Sequence, residues 1–564
     1  MANTIVSTLR QYATKSPDKV FAIVESARRP VTQITYAQYW AEASGVAASL
    51  YGSGVREGDV VICLGEQSSH LLYAISGCFL LGALPSVVPH LSEKLDADVY
   101  SRTLTTLCNV SQVRAAIVSE SEYERTADIL RKAPTLRVIV KMESFMAGNW
   151  TPSANVLMDR NRTVLLQHSS GTTGLQKGVA LSDASVMDHV HAYWAELVGA
   201  ETDVIVSWLP LYHDMGLIAG FLLPLLVGIP LVLLSPFEWI AKPSSLLSAV
   251  SRYKGTMSWL PNFAFNVLAQ KVREDELRGL DLSSWRVVVN CSEPIHWSSC
   301  IAFVQRFHSV GMRKNAVLAC YAMAENTFAV TQSPVDHELV VDWVDERELL
   351  TSYLAKPVPP TSAQARSMVS CGPPIRGVSI TVFAADGRTA DERQVGEIAI
   401  RSGYTLTSYF RRPDLSQAAF QDGWFLTGDL GYVAGGELFV CGRKKDLVIV
   451  AGVNYYPQDF ETVAELVQGV KSGRTVAFGV SNERTGTEDL VLVVETDPSH
   501  VVDSSEIRNE VRKDVARATG CVPREVHVVQ PGWLLKTSSG KIARSANKEK
   551  FLRAFGRGEL PTLN

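Results

Sequence analysis

Short, mostly apolar runs rich in β-branched residues recur along this chain, separated by stretches long enough to be helices. That alternation constrains the fold more than any other feature. GDVVICLG (residues 58–65), AAIVS (115–119), RVIV (137–140), PLVLLS (230–235) and WRVVVNC (285–291) read as strands, with helical patterns at 41–50 and 71–81 among them. A strand that is apolar on both faces must be covered on both faces, and helical crossovers between such strands make parallel sheets. The uncharged run 217–234 is long enough to raise the question of a membrane span. Gly220, Pro224, Gly228 and Pro230 interrupt it, so a buried helix running into a buried strand is expected and no span.

At about 150 residues per domain, 564 residues call for three or four structural units. From about 372 to 440 the pattern shifts to short strands with glycine turns, a β-rich subdomain. Before it, about 333–368 is polar, proline-containing and without sustained periodicity, as an insertion would be. After GRKKD (442–446), residues 447–564 have the length of a small α+β domain. The expected fold is therefore α/β: a large N-terminal domain (1–441) of parallel α/β sheets with the β-rich subdomain, then a small C-terminal domain.

Apolar residues at 46% and charged residues at 20% allow large buried cores, and the net charge of −4 gives no reason to expect nucleic acid as a partner. The nine cysteines include no C-x-x-C pair, which fits buried thiols in a reducing compartment and not a zinc site. Residues 1–15 lack a basic-then-apolar leader, and the expected location is cytoplasmic.

Five motifs carry chemistry. SSGTTGLQKG (169–178) sets small hydroxyl residues and glycines before Lys177, a composition that brings backbone N–H groups close to phosphate oxygens, although such runs also make plain surface turns. It lacks the G-K-[ST] ending of a Walker loop. WLPLYHDMGL (208–217) places His213 at the mouth of the apolar run, either to meet a carboxylate at the end of a greasy pocket or simply to bond a backbone carbonyl. YAMAE (321–325) ends an apolar strand on Glu325, which a Mg2+ could neutralise or solvent could cover. GWFLTGDLGY (423–432) puts Asp429 on a tight turn, where a carboxylate can accept from both ribose hydroxyls or a hairpin can simply turn. KTSSGKIAR (536–544) is a basic run near the C-terminus, commonly a solvated tail.

The order and spacing of the five resemble those of the adenylate-forming superfamily of acyl-CoA synthetases, fatty acyl-AMP ligases, luciferases and peptide-synthetase adenylation domains. The resemblance runs from about residue 34 to 544. WLPLYHDMGLI, PNFAF (261–265), NCSEPI (290–295), NYYPQDFE (454–461) and the 333–368 insertion resemble the fatty acyl-AMP ligase branch most.

The resemblance implies that ATP and Mg2+ activate a large apolar carboxylic acid as acyl-AMP with release of pyrophosphate. A phosphopantetheine thiol, of CoA or of an acyl carrier protein, then takes the acyl group. It assigns Ser169, Ser170, Gly171, Thr172, Thr173, Gly174 and Lys177 to the phosphate loop, with Thr172 catalytic, and Glu325 to Mg2+. Ser292, Glu293, Pro294 and Tyr321 match the adenine pocket, and Asp429 and Arg443 the ribose contacts. Lys541 matches the catalytic lysine that touches the carboxylate and α-phosphate. Lys445 matches the hinge about which a mobile C-terminal domain turns, and Gly452 the thiol channel. His213, assigned a catalytic role together with Glu325, lies where the acyl pocket begins, and Trp208, Met215, Trp259 and Phe263 fall in that pocket. Gln176, Ala322, Ala324 and Leu535 depart from the family pattern without removing a charge the chemistry needs. A non-catalytic adenylate-binding regulator would share the fold and is the alternative.

Overall fold

The computed structural model describes residues 3–27, 29–90, 97–168, 177–450, 453–482, 487–500, 502–537 and 540–555. Two parallel sheets form its base. The first orders its strands Leu84–Val87, Val60–Leu64, Val113–Val118 and Val138–Lys141, each parallel to the next. The second has eight strands in the order Ala329–Gln332, Val317–Ala322, Val287–Cys291, Met257–Leu260, Ile205–Ser207, Leu231–Leu234, Val20–Ser26 and Arg29–Thr35. Its neighbours are parallel except at the two edges. The inner strands are apolar because helices cover both faces: every residue of Val60–Leu64 and of Val287–Cys291 is buried.

In a parallel sheet the carboxyl ends of the strands share one edge, and ligands gather there. Trp208 follows Ile205–Ser207, Phe263 follows Met257–Leu260, Ser292 follows Val287–Cys291, and Glu325 follows Val317–Ala322. The topology alone thus draws together motifs up to 117 residues apart in sequence, Trp208 to Glu325.

The uncharged run around 217–234 folds as a wide i→i+5 helix, Met215–Leu222, which passes into the α-helix Leu223–Val227 and then the strand Leu231–Leu234. Gly228 ends the helix at φ 82°, a backbone state that a side chain disfavours. All eight residues 215–222 are buried in protein, and no helix among the described residues is long and apolar enough to cross a membrane.

The β-rich region is an antiparallel sheet of Val378–Phe383, Gly396–Ser402, Phe420–Gln421, Trp424–Ala434 and Glu437–Arg443. The polar 333–368 stretch contains the strand Val341–Asp345, the helix Glu346–Thr351 and the start of the strand Ala365–Val369, which pairs antiparallel with the first. Only Val344 of the first strand is fully buried, so its sequence shows no apolar alternation. Val344, Leu349 and Met368 pack against Tyr432, Phe439 and Tyr456.

Beyond residue 447, Val470–Asn482, Thr487–Thr496 and Glu525–Val529 form a separate sheet under the helices Pro457–Ala464, Ser504–Thr519 and Arg544–Phe555, with cores of its own. Arg366 reaches this unit through a two-pronged pair with Asp459, at 2.7 and 2.9 Å. All nine cysteines are free and buried.

Candidate active site

Lys541 is presented by a short hairpin. The Thr537 N–H donates to the Lys541 carbonyl (2.7 Å), the Ala543 N–H to the Leu535 carbonyl (3.0 Å), and Gly540 makes the turn at φ 81°. Two anchors, one buried and one half-buried, fix its base. Asn547 bonds both the N–H and the carbonyl of Leu535 (2.8 Å each). Arg544 binds Asp446 (2.8 Å), both carboxylate oxygens of Glu461 (2.8 and 2.9 Å) and the Ala477 carbonyl (3.0 Å). The basic run is therefore a built element and not a solvated tail. From it Lys541 Nζ donates to the Ser292 carbonyl across the boundary between the C-terminal unit and the eight-stranded sheet.

Ser292 sits at φ 70°, a left-handed conformation costing a non-glycine residue about 1 kcal/mol or more. Its hydroxyl faces Met215 Sδ at 3.7 Å, and the next carboxylate, Glu293, accepts the Phe263 backbone N–H at 2.9 Å. Pro294 is exposed beside them. Asp214 lies in the field of Lys541; burial nevertheless raises its carboxyl above the ordinary value, against the Met215 N–H bond and the lysine. His213 is half-buried between the Pro210 carbonyl, which accepts its N–H (3.2 Å), and the Leu217 N–H, which its own carbonyl accepts (2.8 Å).

On the next strand, the Tyr321 hydroxyl donates to Asp429 Oδ2 at 2.7 Å, and Arg443 Nε stands 3.2 Å from Asp429 Oδ1. Asp429 and Arg443 face each other in hairpin register, which is why the spacing of the two motifs matters. The Asp429 charge raises the Arg443 guanidinium further above its usual range. Lys445 lies in the following turn, where burial and then the Arg443 charge lower its ammonium.

Glu325 is half-buried; its Oε1 accepts the Tyr409 hydroxyl at 3.0 Å, and desolvation raises its carboxyl. Lys177 Nζ stands 4.6 Å from the centroid of the same Tyr409 ring. Tyr409 belongs to a two-residue strand paired with Gly178–Ser182, and His168 pairs with Gly178. Sequence reasoning missed Tyr409, because one tyrosine 84 residues from its partner leaves no local signal. Ser169, Ser170, Gly171, Thr172, Thr173, Gly174 and Gly452 lie outside the described residues.

Of the acyl-pocket set, Trp208 stacks on Trp239 with ring centroids 3.7 Å apart and 6° between planes, and Phe263 stands edge-on to both. Trp259 is placed elsewhere: its indole N–H donates to Tyr193 (2.8 Å), whose hydroxyl donates to Gln332 (2.9 Å).

The site thus gathers a buried carboxylate, Asp429, a half-buried carboxylate, Glu325, and a lysine from the C-terminal unit, Lys541, along one edge of the sheet. The profile of the family described as "AMP-binding enzyme" matches residues 9–410. The medium-chain-fatty-acid–[acyl-carrier-protein] ligase JamA of Moorena producens is 30% identical over 95% of this chain and 93% of its own. A solved structure from work on the fatty acyl-adenylate ligases of E. coli and L. pneumophila superposes with a TM-score of 0.88, at 27% identity over 98% of both chains. The L. pneumophila fatty acyl-adenylate ligase in complex with acyl adenylate and pyrophosphate gives 0.75, at 27% identity over 98% of this chain and 96% of that one. The chain belongs to the AMP-binding enzyme family, as an acid-activating ligase of the acyl-CoA synthetase or acyl-AMP ligase type.

Proposed function

We propose that this ligase joins a large, mostly apolar carboxylic acid to AMP and then passes the acyl group to the phosphopantetheine thiol of a carrier protein. The observation that carries the reading is the seating of Lys541 Nζ on the Ser292 carbonyl. It lies one strand away from the Tyr321–Asp429–Arg443 group. In that arrangement an acid carboxylate attacks the α-phosphorus of ATP, a P–O bond forms, and the bond to pyrophosphate breaks. Lys541 holds the carboxylate against the α-phosphate, Asp429 accepts the ribose hydroxyls, and Lys177 meets the outgoing phosphates. Positioning and charge neutralisation dominate such displacements.

Glu325 fits a magnesium ion: its carboxylate is half-buried, burial raises it, and an oxygen-seeking cation would offset that cost. Mg2+ supplies neutralisation of the triphosphate charge. In the second step the thiolate attacks the acyl carbonyl and the C–O bond to AMP breaks. Rotation about residues 442–446, at Lys445, withdraws the Lys541 hairpin and admits the thiol.

The stack of Trp208, Trp239 and Phe263 at the carboxyl edge supports a large apolar acid. Each further buried CH2 adds about 0.8 kcal/mol until the space is full. The carrier-protein ligase among the relatives supports that acceptor over free CoA. The test is mass spectrometry of the protein with ATP, Mg2+, acids from acetate to dodecanoate, and either CoA or a phosphopantetheinylated carrier. Acyl-carrier formation rising with chain length is expected. A preference for acetate or an α-amino acid would refute the acid class, and acyl-CoA without acyl-carrier would refute the acceptor.

A further inference from the structure

Four tryptophans in this chain are buried: Trp208, Trp239, Trp259 and Trp285. Two have their indole N–H groups satisfied, Trp259 by the Tyr193 hydroxyl (2.8 Å) and Trp285 by the Ser258 hydroxyl (3.1 Å). The other two, Trp208 and Trp239, are only 4% and 1% exposed, and neither indole N–H finds an acceptor among the described residues. These two are stacked on each other, so the unmet donors are paired in adjacent planes. A buried donor without a partner is costly, and buried tryptophans ordinarily find one.

The location gives the pair a meaning. Trp208 follows the strand Ile205–Ser207, and Trp239 lies in the helix Pro236–Ala241 just after the strand Leu231–Leu234, both at the carboxyl edge of the eight-stranded sheet. Phe263 touches both rings, and its backbone N–H is held by Glu293, the neighbour of the residue whose carbonyl receives Lys541. A small hollow of about 10 Å3, room for about one water molecule, lies between the flanking turns, lined by Pro210, Leu211, Pro236 and Phe237. Its wall also carries His90, whose Nδ1 is likewise buried without a partner among the described residues.

Resting on the acid-activating reading above, we propose that the acid carries an oxygen away from its carboxylate, as hydroxyl, ketone or ether, and that Trp208 and Trp239 donate to it. A plain alkyl chain leaves both donors unmet. A site that holds unmet donors discriminates against the analogue lacking the acceptor, more strongly than any pocket distinguishes one methylene.

The test uses the full-length protein with ATP and Mg2+. It compares the kcat/KM of pyrophosphate release for dodecanoate with the values for hydroxy- and oxo-dodecanoates that carry the oxygen at successive positions. At least one oxygenated acid should exceed dodecanoate by about tenfold. In Trp208→Phe and Trp239→Phe, which keep an aromatic ring and remove the donor, that ratio should fall toward one through KM. Thermal melting reports whether each variant is folded, and if one is not, the wild-type series decides alone. Oxygenated acids all equal to or poorer than dodecanoate, or a ratio that persists in both folded variants, would overturn the proposal. Pyrophosphate release from none of the acids would instead overturn the acid-activating reading, and this one with it.

Discussion

Replacing Asp429 by asparagine keeps the size of the side chain and removes its charge. Asp429 accepts the Tyr321 hydroxyl at 2.7 Å on one oxygen and faces Arg443 Nε at 3.2 Å on the other. An amide has one oxygen to offer. If it serves Tyr321, the NH2 group points at the guanidinium, donor against donor. The arginine side chain is 52% exposed, so the lost pair is screened and stability falls by about 1 kcal/mol at most. The larger effect falls on ATP. Hydrogen bonds to a charged acceptor are worth about 1.5–3 kcal/mol, so one ribose hydroxyl left with a weaker partner raises the ATP Kd by about ten- to a hundredfold. Calorimetric titration with ATP and Mg2+, alongside a melting curve, measures both. A Kd within about twofold of the wild type in a folded variant refutes the ribose contact.

Lys541→Ala should lower adenylation kcat by about 10^2–10^3 while sparing thioester formation from supplied acyl-AMP; equal loss in both half-reactions, or in neither, contradicts the assigned role. Tyr409→Phe removes the hydroxyl that Glu325 accepts, which should push that already raised carboxyl higher, so the acid limb of the rate profile moves up in pH and the Mg2+ requirement rises severalfold; an unchanged Mg2+ titration argues against the cation site. Burial lifts the Asp183 carboxyl from its ordinary value of 3.8 to about 7, against the Ile5 N–H that it accepts. The stability tied to its protonated form is therefore fully present below about pH 4 and lost as pH rises through about 7. Asp183→Asn should consequently gain melting temperature relative to wild type between pH 5 and 8, and parallel profiles would contradict this.

What the sequence disclosed depended on how local each signal was. The strands 58–65 and 285–291 are legible because double-faced burial demands an unbroken apolar run. Asp429 and Arg443 are legible because they occupy two motifs of one hairpin in register. Tyr409 and Trp239 are not, since each works only against residues brought near by the topology, Glu325 and Trp208. Arg366 escaped for the same reason: its partner Asp459 is 93 residues away. The wide helix 215–222 read as an ordinary buried helix, because apolar composition does not report the winding of a helix buried on every side.

The burial of all nine thiols bears on a hazard that an acyl-adenylate ligase makes for itself. Its intermediate is a mixed anhydride, open to any nucleophile that can reach the carbonyl, and a cysteine of the protein's own would be acylated first. Cys291 directly precedes Ser292, whose carbonyl seats Lys541, yet it is 0% exposed. Burial holds the thiols of Cys371 and Cys441 up to about 12, so their nucleophilic thiolate forms are scarce at neutral pH. The protein is thus a poor target for its own product. The activated acyl group is left for a sulfur that arrives from outside, and prolonged turnover without an acceptor should leave the cysteines unmodified by intact-mass spectrometry.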